Sequence, residues 1–125
     1  MEIKTRNRKA ALEIIPIGKL DILKAEQFET DLQEKIRATT EKVIGINLAK
    51  VEYIDSSGLG ALIKVLKASQ NAGKTLLLFG VSPKIQNIFQ LARLEKFFTF
   101  TTPLDFNTKY PSPEDEEMDE FLKKL

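Results

Sequence analysis

The chain contains no histidine, no cysteine and no tryptophan. Without histidine it lacks the commonest general base and the commonest metal ligand. Without cysteine it has no thiolate nucleophile and no disulfide framework, and its redox compartment is undetermined. Long apolar runs are missing as well: nothing approaches the ~20 residues of a membrane-spanning helix, so direct membrane insertion is not expected. The first ten residues, MEIKTRNRKA, have no apolar segment after their basic side chains and do not read as a secretory signal. A cytoplasmic protein is the default expectation. A large excess of one charge is also absent. The net charge is +1, which gives no bulk attraction to nucleic acid or to an acidic membrane surface.

What is present suits one compact domain. The length of 125 residues is that of a single folding unit, and 42% hydrophobic residues are enough to bury a core. Glu2–Asn7 alternates weakly, and Ala10–Ile17 is a stronger strand by its apolar, β-branched content. Pro16 within it calls for an edge position, a bulge or a strand end. Lys24–Ala38 is an amphipathic helix, with Ala25, Phe28, Leu32 and Ile36 at spacings of three and four. Val43–Asn47 is continuously apolar, as in a strand covered on both faces, and Gly45 marks a close helix approach. A second short apolar stretch, Tyr53-Ile54, precedes Asp55.

Gly58–Ala72 has helical periodicity through Leu59, Leu62, Ile63 and Leu66, and Gly73 is placed to cap it in the left-handed conformation. Thr75–Phe79 is another buried strand. Ser82-Pro83 opens a third helix running to about Ala92, and Phe97–Thr101 is a last strand. Asp105–Pro113 reads as a linker. Ser112-Pro113 then repeats the helix-start signature, with Glu114–Glu117 in the first turn and Lys123 and Lys124 in the last. Met118, Phe121, Leu122 and Leu125 give this final helix one apolar face. The expected architecture is α/β: a mixed sheet of about four to five strands with packed helices, antiparallel at the start and parallel later. It occupies residues 1–104, and residues 105–125 form a linker and a C-terminal amphipathic helix. That helix would cover its own domain, form a homodimer or engage a different partner.

The chemistry concentrates in Asp55-Ser56-Ser57-Gly58, where a strand hands over to a helix. Asp, Ser and Gly are favoured at helix starts for structural reasons alone. A catalytic serine needs a base to take its proton, and no histidine exists to do so. Phosphorylation by another protein needs no base in this chain and would place roughly −1.5 to −2 charges beside Asp55. Two weaker motifs fail on spacing. Gly73-Lys74-Thr75 ends like a phosphate-binding loop, but Ala68 stands where the first glycine belongs and a strand follows. Gly58-Leu59-Gly60 lacks the third glycine of a dinucleotide fingerprint, since Ile63 occupies it. Asp21 and Asp55 alone do not make a metal site. No catalytic residue, cofactor or metal is expected, and the protein is not expected to be an enzyme.

Val51–Leu62, VEYIDSSGLGAL, closely resembles the signature of STAS domains, the anti-sigma-factor antagonist family of bacteria. The likeness extends to Gly18-Lys19-Leu20-Asp21, to Gly73–Phe79, to Val81-Ser82-Pro83 and to Ile88–Leu94, covering roughly Glu2 to Thr102. The resemblance implies a partner switch. The unphosphorylated antagonist binds an anti-sigma factor that is also a serine kinase; phosphorylation breaks the complex, and a serine phosphatase resets it. The acceptor in such proteins is the serine directly after the motif aspartate, here Ser56, with Ser57 the second choice. Asp21, Asp55, Ser56, Ser57, Gly58 and Leu59 would form the partner-binding surface. Asn47 departs from the family, which often has aspartate there, and the tail from Asp105 has no counterpart in the motif. The alternative reading is a STAS subunit of a signalling scaffold or lipid-transport complex with no sigma-factor target.

Overall fold

The computed structural model describes residues 1–125. The elements in order are β1 (Glu2–Arg8), β2 (Ala11–Leu20), α1 (Ala25–Ala38), β3 (Val43–Asn47), β4 (Val51–Ile54), α2 (Ser56–Asn71), β5 (Thr75–Phe79), α3 (Pro83–Leu91), β6 (Thr99–Phe100), α4 (Pro103–Lys109) and α5 (Pro113–Lys123). The sheet order is β1-β2-β3-β5-β6, and β4 pairs with β2. The first pair is antiparallel and every other pair is parallel, as the alternation of strands and helices predicts. Six strands form where four to five are expected, because Val51–Ile54 makes a strand of its own.

Pro16 is not at an edge. β2 lies inside the sheet, paired with β3 through Ala11–Ile14 and with β4 through Gly18–Leu20. Pro16 falls in the interval where neither parallel neighbour claims its missing donor. Gly18 takes φ +111, and the register shifts between Gly18 and Lys19. This bulge redirects β2 towards β4.

Alternation along the strands divides the side chains between two layers. Leu12, Ile14, Ile44, Ile46, Leu76 and Leu78 enter the main core with Phe28, Leu32 and Ile36 of α1 and Leu62 and Val65 of α2. The opposite side of the sheet presents Ala11 and Phe79 to Phe106 and Tyr110. Phe106 belongs to α4, which forms where Asp105–Pro113 reads as a linker. The expected boundary at residue 104 therefore cuts through a helix whose central side chain is buried. Thr102 caps α4 through its hydroxyl, and Pro103 opens it. The Phe106 ring stacks on Phe79 at 4.4 Å between centroids. A Cβ at Gly45 would run into the Phe106 ring, so the glycine marks the expected close helix approach.

A buried ion pair ties this tail to the sheet. Arg8 Nε and one terminal nitrogen donate to Glu13 Oε1 at 2.9 and 2.7 Å, with the two side chains 5% and 2% exposed. Asn47 Nδ2 donates to Glu13 Oε2 at 3.0 Å, while Arg8 also reaches the Tyr110 carbonyl at 3.3 Å. The family departure at Asn47 thereby has a local reason: an aspartate here would set a second carboxylate against Glu13.

α2 packs close to the end of β2. Gly58 is buried there, and a Cβ on it would collide with the Leu20 carbonyl oxygen and crowd Ile54. α2 ends in a Schellman arrangement: Gly73 has φ +72, its N–H bonds the Gln70 carbonyl, and Lys74 N–H bonds the Ser69 carbonyl.

Two stability outcomes follow. Asn47→Asp loses a hydrogen bond to a carboxylate and adds like charge, lowering unfolding free energy by about 1.5–3 kcal/mol; unchanged urea midpoints would contradict this role. Gly58→Ala forces α2 away from β2 and costs about 1–3 kcal/mol, measured in the same titration against Gly60→Ala, where an added Cβ meets open space.

Candidate functional site

The switch of β2 from β3 to β4 sets the carboxyl ends of β2 and β4 side by side. In parallel sheets the loops beyond these ends are where ligands and partners meet the fold. Here the two loops carry Asp21 and Asp55. Asp55 N–H bonds the Leu20 carbonyl at 3.3 Å, so the strand ladder runs into the site itself.

Asp55 is the N-cap of α2. Its Oδ1 accepts from Gly58 N–H at 3.0 Å, and its Oδ2 accepts from Ile22 N–H at 3.1 Å. One carboxylate therefore joins the start of α2 to the β2–α1 loop. Asp21 Oδ1 accepts from Leu23 N–H at 3.1 Å, and the Asp21 carbonyl accepts from Lys24 and Ala25 N–H. The loop is held by two aspartates, and it displays Ile22 and Leu23 at 71% and 87% exposure.

Ser56 and Ser57 are the first two residues of α2, which begins two residues before its expected start at Gly58. With Asp55 as the cap, neither serine hydroxyl has that task. Ser56 is exposed and Ser57 half-buried. Ser57 looks into a groove of 620 Å³ between α1 and α2, lined also by Ile22, Glu26, Glu29, Gly60 and Lys64. Lys64 Nζ stands 3.7 Å from the Glu29 carboxylate across it.

The structure thus brings Asp21, Asp55, Ser56 and Ser57 to one end of the sheet. It removes two members of the expected binding face. Gly58 is buried against Leu20, and Leu59 is 6% exposed within the main core. Leu59 belongs to the apolar stripe of α2, and that stripe faces inward. Sequence reasoning missed Ile22 and Leu23. Their signal was two consecutive apolar side chains between a strand end and a helix outside any periodic pattern.

Lys74 does not front a phosphate site. Its ammonium donates to the Thr39 and Glu41 carbonyls at 2.5 and 2.9 Å, which latches the α1–β3 loop. No helix is long and apolar enough to cross a membrane.

Comparison with known proteins agrees with the architecture. The STAS domain model matches residues 2–108, beyond the expected boundary and through most of α4. An anti-sigma-B factor antagonist of Staphylococcus epidermidis is 33% identical over 95 residues, 76% of this chain and 87% of its own length. The protein of that name from Staphylococcus aureus is 30% identical over the same extents. Among solved structures, the Bacillus cell fate determinant SpoIIAA in its phosphorylated form superposes with a TM-score of 0.63 at 19% identity, covering 86% of this chain and 98% of that one. The chain belongs to the STAS domain family.

Proposed function

We propose that the protein is an anti-sigma-factor antagonist that operates as a phosphorylation-controlled partner switch in the cytoplasm. The observation that carries this reading is Ser56: an exposed hydroxyl at the first position of a 16-residue helix, released from capping by Asp55 and set beside exposed Ile22 and Leu23. The partner is an anti-sigma factor that is also a serine kinase. In the unmodified state it packs apolar surface on Ile22 and Leu23 and sets donors against Asp21 and Asp55. The chain supplies no catalysis of its own and acts by binding.

The kinase transfers the γ-phosphoryl of ATP to Ser56 Oγ; the hydroxyl proton leaves and ADP is released. The product adds roughly −1.5 to −2 charges next to Asp55. The first N–H groups of α2 and its dipole accommodate that charge within the folded domain. The partner has no such compensation, and an apolar or acidic contact surface is repelled. A serine phosphatase removes the phosphate and restores binding. Ser57, turned into the α1–α2 groove, is the poorer acceptor because a kinase must reach its hydroxyl past Ile22 and Glu26.

With ATP and the cognate kinase, mass spectrometry should locate one phosphate on Ser56 and none on Ser56→Ala. Ser56→Ala should bind the partner as the wild type does, and Ser56→Asp should bind at least about tenfold more weakly. Full phosphorylation of Ser56→Ala would move the acceptor elsewhere, and equal affinities would remove charge as the switch. A stoichiometric assembly that copurifies without any kinase would favour the scaffold or lipid-transport reading instead. Asp55→Ala removes the cap and the Ile22 tether together. It should cost about 1–3 kcal/mol in a denaturant titration and weaken partner binding beyond that of Ser57→Ala; unchanged affinity would detach the β2–α1 loop from the binding face.

A further inference from the structure

α5 buries none of its residues. Met118, Phe121, Leu122 and Leu125 are all more than half exposed, so the apolar face does not cover its own domain. The helix is nonetheless firmly built. Ser112 and Asp115 form a reciprocal capping box, and Pro113 opens the first turn. Its base is pinned to the β1–β2 turn by Lys9 N–H on the Pro111 carbonyl at 2.9 Å and by Lys9 with Glu116 at 3.3 Å.

A second unfilled apolar feature lies elsewhere. Ile63 and Leu66 of α2 and Leu94 and Phe97 ahead of β6 line a groove of 310 Å³. Phe97 is 66% exposed on its wall. Lys67 lines the same groove, and exposed Arg93 and Lys96 neighbour Leu94 and Phe97 in the chain. Glu95 turns its Oε2 into the protein, where it is buried, and does not line the groove.

The two features are both apolar and are opposite in charge. Met118, Phe121 and Leu122 of α5, with Leu125 just beyond its end, are apolar anchors at i, i+3, i+4 and i+7, the pattern that fills a helix-binding groove. Residues 113–125 hold six acidic side chains and two lysines, a net −4. With +1 for the whole chain, residues 1–112 carry +5. Two α5 helices facing each other would bring two such negative segments together, whereas α5 on the lysine-lined groove brings opposite charges together.

We infer that α5 of one chain docks into the α2–β6 groove of a second copy, forming a reciprocal dimer. The groove on the same chain is out of reach. α5 starts at the β1–β2 turn and lies beside α4, whose Phe106 packs on the sheet face opposite the α2 core. β1 and β6 are the two ends of the path β1-β2-β3-β5-β6, roughly 19 Å apart at about 4.8 Å per strand. The 11 residues of α5 span about 16 Å and would have to round the sheet as well. Each helix–groove contact is small against the roughly 1,200–2,000 Å² of a stable interface. Exchange of both helices doubles it and closes the assembly with twofold symmetry. The groove uses Ile63, Leu66 and Lys67, whereas Ser57, Gly60 and Lys64 face the other groove. Dimerisation therefore leaves the Ser56 end of α2 open.

The absence of cysteine allows a direct test. Gln70→Cys, on the groove wall, and Glu117→Cys, beside the α5 stripe, are made as separate full-length proteins with distinguishable tags. Mixed and treated with a short bis-maleimide, they should crosslink to each other more than either does to itself. In sedimentation equilibrium the mass should rise with concentration from 14.2 kDa towards twice that value. Phe121→Ser and Lys67→Glu should each weaken association at least about tenfold while keeping the circular dichroism of the parent. A species that stays monomeric into the millimolar range overturns the inference. So does crosslinking dominated by Glu117→Cys with itself, which would pair α5 with α5, or crosslinking within one chain carrying both cysteines.

Discussion

The Asp55 carboxylate is the interaction on which the site depends. One oxygen caps the start of α2 by accepting from Gly58 N–H, and the other holds the β2–α1 loop at Ile22. Both tasks need an acceptor with two free oxygens at the end of β4, and each of the serines that follow would supply only one. Because Asp55 takes the cap, Ser56 is left exposed and unengaged. Because Gly58 has no side chain, α2 can approach the Leu20 carbonyl closely enough for the cap to form. Capping, close packing and an available hydroxyl are consequences of one local geometry.

That geometry rests in turn on β2. A strand that stayed with β3 along its whole length would leave β4 no partner and Asp55 no fixed position. Pro16 lies in the gap between the β3-paired and β4-paired stretches, and Gly18 supplies the φ of +111 at the bulge that redirects the chain. Residues that look like defects in a central strand are the means by which two strand ends, and hence Asp21 and Asp55, come together. The buried Arg8–Glu13–Asn47 group secures the other side of the sheet. Its charges are paired, which is the condition for tolerating them in the interior. It also reaches Tyr110, so α4 is part of the domain and not an appendage.

The alternation of strands and helices was legible in the sequence because each element carries a strong period or a continuous apolar run. α4 was not, because only Phe106 and Tyr110 mark its buried face and polar turn-forming residues surround them. The signal that identifies it is Thr102-Pro103, the same start that reveals α3 and α5. Leu59 shows the opposite failure. Its place in the α2 stripe already assigned it to the core, and the family motif pulled it onto the surface; packing follows the period. The choice among Asp55, Ser56 and Ser57 as cap could not be read locally, since aspartate and serine both cap well. The tertiary partner at Ile22 decides it.

The tail sharpens this contrast between local and long-range information. Its capping box, acidic first turn and basic last turn are all visible in the sequence, and the helix forms as they require. The destination of its apolar face is not a local property. Only the sheet order shows that α5 begins at the β1 side while the vacant apolar groove lies at the β6 side. An apolar stripe with strong local stabilisation that stays more than half exposed is the surface the proposed contact in trans would use. The charge division between residues 1–112 and 113–125 gives that contact a direction, from the acidic helix to the basic body of another copy. The proposed switch at Ser56 and the proposed contact at α5 would use different faces of α2, so one chain could hold both without either occluding the other.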